Sequence, residues 1–165
     1  MQFHRVRNFL PFEAWGIDLI GELPTSMHGN RFIICAVDYA TGWPVTGAYA
    51  EVTATTLATF IVDRICTEYG PPRIIISDNG PQFISDVFAH LMQQLKAKHH
   101  LVAPYHPQSN RKVERYNRTV GSILTKMMIG DSVAKWDDYL ASATYATRVR
   151  AQSGSKLSPF YLLYR

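Results

Sequence analysis

A short β-branched run at residues 73–77, with three consecutive isoleucines, most constrains what this chain can fold into. The run is too brief for a helix, and segments with helical periodicity precede and follow it. Gly-Pro-Pro at 70–72 and Asn-Gly-Pro at 79–81 place turns at both ends. The run therefore predicts a strand of an α/β sheet that delivers Asp78 at its carboxyl end, where such sheets place their ligands.

The other segments predict a mixed α/β class with the order β-β-β-α-β-α-β-α and a further helix. Apolar and β-rich runs predict an antiparallel meander of three strands, at residues 16–23, 31–39 and 43–50. Periodic apolar residues predict helices at 54–69, capped by Thr53, and at 85–95, on whose apolar face we expect Val87. A fifth strand is predicted at 97–102. The last helices are predicted at 112–129 and 134–150, the second with Tyr145 or Ala146 on its apolar stripe.

The composition predicts one domain over residues 1–165, since the chain has 165 residues and is 47% hydrophobic. No apolar run reaches the eighteen residues of a membrane span, and the first residues lack the apolar stretch of a secretory signal. Cys35 and Cys66 lie in apolar segments far apart, which favours reduced thiols. We therefore expect a protein that is neither secreted nor membrane-bound, in the cytosol or the nucleus.

The charge is distributed unevenly along the chain. Residues 1–95 contain five Lys/Arg and nine Asp/Glu, whereas residues 96–165 contain twelve and four. An acidic first part and a basic second part are typical of a protein that binds metal ions with one region and nucleic-acid phosphates with the other. An ordinary uneven surface is the alternative.

Three acids are the candidate catalytic and metal-binding residues. Asp78 and Glu114 have thirty-five residues between them, and Asp18 lies in the first predicted strand. Carboxylates of this kind bind two divalent cations roughly 3.5–4 Å apart in enzymes that transfer phosphodiesters, and Mg²⁺ suits oxygen ligands.

Each acid also has a structural alternative. Asp18 is then a solvated strand residue, Asp78 a turn residue beside Asn-Gly, and Glu114 the partner of nearby arginines on a helix surface. Asp38 also ends a predicted strand in an apolar run, so it is the main competitor for a ligand role.

Six segments together resemble the catalytic core of retroviral and long-terminal-repeat retrotransposon integrases, with the gypsy-type branch the most similar. The segments are Trp15-Gly16-Ile17-Asp18-Leu19-Ile20, Val37-Asp38-Tyr39-Ala40-Thr41-Gly42-Trp43-Pro44, Tyr69-Gly70-Pro71-Pro72, Ser77-Asp78-Asn79-Gly80-Pro81-Gln82-Phe83, His106-Pro107-Gln108-Ser109-Asn110-Arg111-Lys112-Val113-Glu114-Arg115 and Leu157-Ser158-Pro159-Phe160-Tyr161-Leu162-Leu163-Tyr164. The resemblance implies a ribonuclease H-like fold, a five-stranded mixed sheet flanked by helices. It also places Asp38 in the hairpin before Trp43, so we interpret Asp38 as structural.

The resemblance implies a metal-dependent polynucleotidyl transferase that trims the 3′ ends of retrotransposon DNA and joins them to target DNA. Asp18, Asp78 and Glu114 would be its catalytic residues and would bind two Mg²⁺ or Mn²⁺ ions. It also implies a homodimer or higher oligomer, a host targeting protein as a partner, and a nuclear location reached from cytoplasmic particles. The family's zinc-binding N-terminal domain and its C-terminal DNA-binding domain are absent from residues 1–165.

The basic helix that contains Glu114 predicts DNA contacts. Arg111, Arg115 and Arg118 follow i, i+4, i+7 spacing, which places them on one helix face. Such a stripe suits a DNA backbone, although a solvated helix face is the common alternative. The resemblance adds three further DNA contacts, at Tyr105, Asn110 and Lys112.

One position departs from the family pattern, because gypsy-type integrases usually have glycine where this chain has Arg111. Arginine has fewer allowed backbone conformations than glycine and would stiffen the loop before Glu114. Two alternative functions therefore stay open: a ribonuclease H-like nuclease that does not join strands, and a domesticated or degenerate core that binds DNA or protein without catalysis.

Overall fold

The structure is a computed structural model, and it describes residues 8–102 and 111–165. The predicted DNA contacts Tyr105 and Asn110 lie outside the described residues.

Five strands form one mixed sheet in the order β3-β2-β1-β4-β5. The strands are β1 (Ala14–Ile20), β2 (Phe32–Asp38), β3 (Pro44–Tyr49), β4 (Ile74–Ser77) and β5 (Lys98–Leu101). The first three pair antiparallel, and β4 lies parallel to both β1 and β5. This is the ribonuclease H-like fold that the sequence predicts.

The helices cover both faces of the sheet. They are α1 (Ala54–Phe60), α2 (Thr67–Tyr69), α3 (Asp86–Leu95), α4 (Arg111–Met127), α5 (Trp136–Val149) and α6 (Pro159–Tyr164). A π-helical segment, Ile61–Cys66, joins α1 to α2, and a 3₁₀ turn, Val133–Lys135, precedes α5. None of the helices described is both long and apolar enough to cross a membrane.

Strand β2 shows how the sheet separates two cores, because its successive side chains point to opposite faces. Ile34 and Ala36 pack with α1, α3 and the π-helical segment in one core. Ile33, Cys35 and Val37 pack with α4 and α5 in the other. Both faces of β2 are therefore buried, and the strand reads as a continuous apolar run.

The predicted elements are present, with three differences. The helix predicted at 54–69 contains the π-helical segment, and α6 was not predicted as a helix. Val87, expected on the buried face of α3, is exposed, and so is Tyr145 on α5. Thr53 caps α1, as the sequence predicts, and Ser85 caps α3. Each side chain accepts a hydrogen bond from a backbone amide of its helix.

Asp38 is structural, as interpreted from the sequence. Its Oδ1 accepts a hydrogen bond from the Phe12 amide at 2.9 Å. Its Oδ2 accepts hydrogen bonds from the amide and the hydroxyl of Thr41, at 3.0 and 2.6 Å. The fully buried carboxylate thus closes the turn between β2 and β3 and ties the chain before β1 to it.

We expect Asp38→Ala to lower the free energy of unfolding by roughly 2–4 kcal/mol, because the buried donors of Phe12 and Thr41 lose their acceptors. Urea unfolding measures the change, with Glu51→Ala, an exposed acid, as the control. Equal stabilities of the two variants would contradict the structural role of Asp38.

Candidate active site

Asp18 lies in the middle of β1, where it pairs with Cys35 of β2. Its side chain is partly buried. Oδ1 accepts a hydrogen bond from the Leu19 amide, and Oδ2 accepts one from the Nδ2 group of Asn117 on α4, both at 2.8 Å. The carboxylate is therefore held in place from its own strand and from the helix above it.

Asp78 follows β4 directly, and its side chain is exposed. Because β4 is parallel to β1, the carboxyl ends of the two strands lie at the same side of the sheet. Oδ1 of Asp78 accepts a hydrogen bond from the Gly80 amide at 2.9 Å, so the turn at 79–81 positions the side chain. The second carboxylate oxygen stays available for a ligand.

Glu114 lies in the first turn of α4 on an exposed position. Val113, Tyr116, Val120 and Leu124 of α4 are buried against the sheet, which orients the helix and sets the direction of Glu114. Within residues 8–102 and 111–165, no salt bridge joins Glu114 to Arg111 or Arg118. The ion-pair alternative for Glu114 thus finds no support there.

The charges of Asp78 and Glu114 affect the pKa of Asp18. Burial raises the pKa of the Asp18 carboxyl most, and the carboxylates of Asp78 and Glu114 raise it further. The hydrogen bonds from Leu19 and Asn117 lower that pKa. The charges of Asp78 and Glu114 are therefore each close enough to repel the charge of Asp18, which is the arrangement that divalent cations relieve.

The sequence analysis missed three residues that support the acids. Asn117 lies three residues after Glu114, so helical spacing places both on one side of α4. This spacing could have identified Asn117 from the sequence. Ser77 is fully buried, and its hydroxyl contacts the Asp78 carbonyl at 3.0 Å and His99 Nε2 at 2.7 Å. No sequence signal indicates that contact, since it depends on how β5 packs beside β4.

Tyr39, at the end of β2, also lies near the acids. Burial raises the pKa of its phenol to about 12, and the Glu114 charge contributes to the increase. Lys112 donates a hydrogen bond to the Tyr39 carbonyl, and its ammonium lies 5.8 Å from the centre of the Tyr39 ring. Burial lowers the pKa of Lys112.

The donor set fits a hard divalent cation. All candidate ligands are oxygens, as Mg²⁺ prefers, and Oδ1 of Asn117 is buried beside Asp18 without a hydrogen-bond partner among the described residues. The oxygens of the three acids are not all within 4.8 Å of one another. Asp78 and Glu114 are exposed, so their side chains have room to rotate towards a shared ion.

In a second cluster, formed by His28, Asp137 and Asp138, one ligand atom from each residue lies within 4.8 Å of the other two. Asp137 accepts hydrogen bonds from Ser26 and Asn30, and His28 pairs with Asp138 at 3.0 Å. These contacts fasten the loop between β1 and β2 to the start of α5, which accounts for the cluster structurally.

The predicted DNA contacts on α4 do not all point the same way. Arg111 and Arg118 are exposed. Arg115 donates a hydrogen bond of 3.4 Å to Ser153 in the segment after α5, and Lys112 reaches the Tyr39 carbonyl. Of the predicted stripe, Arg111 and Arg118 therefore face open solvent, whereas Arg115 lies on the side of α4 that faces α5.

The sequence matches the family described as "Integrase core domain" over residues 10–107, more than half of the chain. The chain belongs to the integrase core domain family. This family is divalent-metal dependent, in agreement with the oxygen ligands of the site.

Retroviral polyproteins are similar to this integrase core along nearly its whole length. The Gag-Pol polyprotein of woolly monkey sarcoma virus is 32% identical over 160 residues, 97% of this chain and 9% of that protein. The Pro-Pol polyprotein of simian foamy virus type 3 (strain LK3) is 35% identical over 154 residues, 93% of this chain and 13% of that protein. The chain thus spans only a small part of these relatives.

One solved structure supports the fold. The cryoEM structure of the simian T-cell lymphotropic virus intasome in complex with PP2A regulatory subunit B56 gamma contains a chain that superposes with a TM-score of 0.84. The match covers 98% of this chain and 58% of that chain, at 22% identity.

The raised pKa of Asp18 predicts a pH-dependent stability effect. A folded pKa above the ordinary value of 3.8 means that the folded state binds the proton more tightly than the unfolded state. The wild-type protein therefore loses stability as pH rises from 3.8 through the folded pKa. Asp18→Asn cannot ionise, so we expect its stability relative to wild type to increase across that range.

Urea unfolding between pH 4 and 7 in a buffer free of divalent cations measures this effect. Asp63→Asn, at an exposed acid after α1, is the matched control. A stability difference between Asp18→Asn and wild type that stays constant with pH would contradict the raised pKa of Asp18.

Proposed function

We propose that this chain is the catalytic core of a DDE-type integrase that trims the 3′ ends of element DNA and joins them to target DNA. The observation that carries this proposal is the placement of three acids by neighbouring elements. Asp18 lies on β1, Asp78 directly follows the parallel strand β4, and Glu114 lies in the first turn of α4, whose Asn117 donates a hydrogen bond to Asp18. Membership in the integrase core family and the fold of an intasome chain support it.

In this proposal Asp18, Asp78 and Glu114 bind two Mg²⁺ ions, with Mn²⁺ as a substitute. Cations in such a site activate the attacking hydroxyl and stabilise the leaving oxygen in an in-line displacement at phosphorus. Asn117 positions Asp18 through its 2.8 Å hydrogen bond, and Ser77 supports the backbone of Asp78. The reaction needs no covalent protein intermediate.

We further propose that the chain is a piece of a gypsy-type retrotransposon polyprotein. Its small share of the Pol polyproteins supports an origin in a longer chain. The proposal includes a single catalytic domain over residues 1–165, with the zinc-binding and C-terminal DNA-binding domains elsewhere. Its partners would be element DNA ends, target DNA and a host targeting protein, and its site of action the nucleus.

Arg111 favours a second candidate function, a degenerate core that binds DNA without catalysis. Arg111 begins α4, three residues before Glu114, where the family pattern has glycine. Retained DNA binding without metal-dependent cleavage or joining would identify this second function. Cleavage without joining would identify the hydrolytic nuclease instead.

Asp78→Asn and Glu114→Gln are each expected to lower metal-dependent cleavage and joining by roughly a hundredfold or more, because each keeps the shape but removes a ligand charge. The measurement uses labelled duplex DNA with a recessed or blunt 3′ end, in Mn²⁺ and in Mg²⁺. Asp86→Asn, at the start of α3, is the control for loss of one acid.

Circular dichroism must show the same fold for these variants and the wild type. Full turnover in either Asp78→Asn or Glu114→Gln, with matched spectra, would exclude the proposed catalytic site. Joined products from the wild type separate the transferase from the nuclease.

The proposed homodimer has a candidate interface on α5. Tyr145 and Val149 lie four residues apart, so they share one helix face, and they are 62% and 46% exposed. An exposed apolar helix surface of this kind suits burial against the same surface of a second copy across a two-fold axis.

We expect Tyr145→Glu to shift the protein from dimer to monomer, because an ionised carboxylate in the interface loses its hydration without a partner. Light scattering at about 100 μM detects association of micromolar affinity. Ile129→Glu, at an exposed isoleucine outside α5, is the control. A wild-type protein that is monomeric at this concentration would overturn the dimer.

A further inference from the structure

An open cavity of about 610 Å³ lies beside α4, on the side that faces the end of α5. One wall is formed by α4 through Lys112, Arg115 and Thr119, and another by the turn between β2 and β3. The segment at residues 150–156 closes the third side. The volume is within the range of about 300–1,000 Å³ that is usual for ligand sites.

The cavity is strongly cationic. Lys112, Arg115, Arg150 and Lys156 line it, and its lining contains no aspartate or glutamate. Within the described parts of the chain, the side chains of Arg150 and Lys156 have neither an ion-pair nor a hydrogen-bond partner. A concave surface with charges of one sign concentrates the electric field and attracts anions.

The segment that presents these cations is held by specific contacts. The backbone amide of Gln152 donates a hydrogen bond to the Leu157 carbonyl at 3.0 Å, and the backbone amide of Lys156 donates one to the backbone carbonyl of Gln152 at 2.9 Å. The Gln152 side chain donates to the Thr41 carbonyl at 2.8 Å. It also occupies the space over Gly42, where a β-carbon would lie 2.1 Å from its Oε1. The segment is therefore anchored to the turn between β2 and β3.

The cavity lies near Asp18 and Glu114. Val37, which lines it, lies two residues along β2 from Cys35, the strand partner of Asp18. Two strand residues span roughly 7 Å. Lys112 and Arg115 flank Glu114 in sequence, yet Glu114 does not line the cavity. The cavity and the acids thus lie on two sides of the first turns of α4.

We propose that this cavity binds a backbone phosphate of the same DNA strand whose phosphodiester reacts at the acids, a few nucleotides away from it. Arg115, Arg150 and Lys156 are the phosphate ligands, and the Ser153 hydroxyl is a further donor. This inference rests on the proposed function. It adds the segment after α5 to the DNA-binding surface, beyond the α4 residues that the sequence predicts.

The chemistry of the cavity favours phosphate. Guanidinium groups bind phosphate oxygens through paired hydrogen bonds, and lysine adds a point charge. Successive phosphates of one strand recur at about 3.4 Å along the helix axis, so a strand bound at the acids carries further phosphates within a few nucleotides. Arg118 does not line the cavity.

The test compares two double variants that lose the same charge. Arg150→Gln with Lys156→Gln removes two cations from the cavity, and Arg73→Gln with Lys98→Gln removes two exposed cations near the β4–β5 edge. Fluorescence anisotropy with a 3′-recessed duplex, in EDTA and over a series of salt concentrations, measures DNA affinity without any cleavage. We expect about a tenfold or greater loss of affinity for the cavity variant, and a salt slope lower by roughly 1–2 units.

A charge-neutral variant separates the cavity from net charge. Ser153→Trp fills the cavity from the side chain that accepts the Arg115 hydrogen bond, and Gln94→Trp places the same ring on the exposed face of α3. We expect Ser153→Trp to weaken DNA binding several-fold and Gln94→Trp to leave it within twofold of wild type. Circular dichroism checks the fold of each variant, and Lys156→Gln alone replaces the double variant if that does not fold.

The proposal is overturned if both cavity variants keep the wild-type DNA affinity and salt slope. It is also overturned if the two double variants lose DNA affinity equally, or if tripolyphosphate competes for the cavity without weakening DNA binding. Cleavage and joining assays with Mn²⁺ are scored separately. Absence of metal-dependent turnover in the wild type refutes the transferase function, whereas unchanged DNA binding by the cavity variants refutes the phosphate site alone.

Discussion

The parallel pairing of β4 with β1 is the constraint on which the candidate site depends. It brings the end of β4, and with it Asp78, to the same side of the sheet as Asp18. The buried face of α4 then places Glu114 and Asn117 above the same strand. Two apolar cores stabilise this arrangement, so the packing of apolar side chains offsets the repulsion among the acids.

Two buried or half-buried aspartates show how different environments produce different roles. Asp38 is satisfied by three hydrogen bonds from Phe12 and Thr41, and it closes a turn. Asp18 has two hydrogen bonds; burial raises the pKa of both carboxyls, and the carboxylates of Asp78 and Glu114 raise that of Asp18 further. A carboxylate with unsatisfied repulsion costs stability, and a cation that binds there relieves this cost. The same residue type therefore serves the fold in one place and ligand binding in the other.

The elements were predictable where their patterns are local. The isoleucine run of β4 and the capping residue Thr53 of α1 identify their elements without reference to the rest of the chain. The prediction was wrong for Val87, and of the alternatives Tyr145 and Ala146 it is Ala146 that is half-buried, because whether an apolar residue is buried depends on which element covers its face. The helix α6 was missed because its apolar run at residues 159–164 is short.

The resemblance to integrase cores predicted the three acids, and the sequence by itself determined the order of most elements and the concentration of positive charge in the second part of the chain. These follow from residue type and spacing, since periodicity reports which residues share a face of one element. Only the tertiary structure decided that Asn117 holds Asp18, that Ser77 contacts His99, and that Arg115 faces the segment after α5. Each of these contacts joins residues from different elements, and their meeting depends on the long-range packing of helices against the sheet.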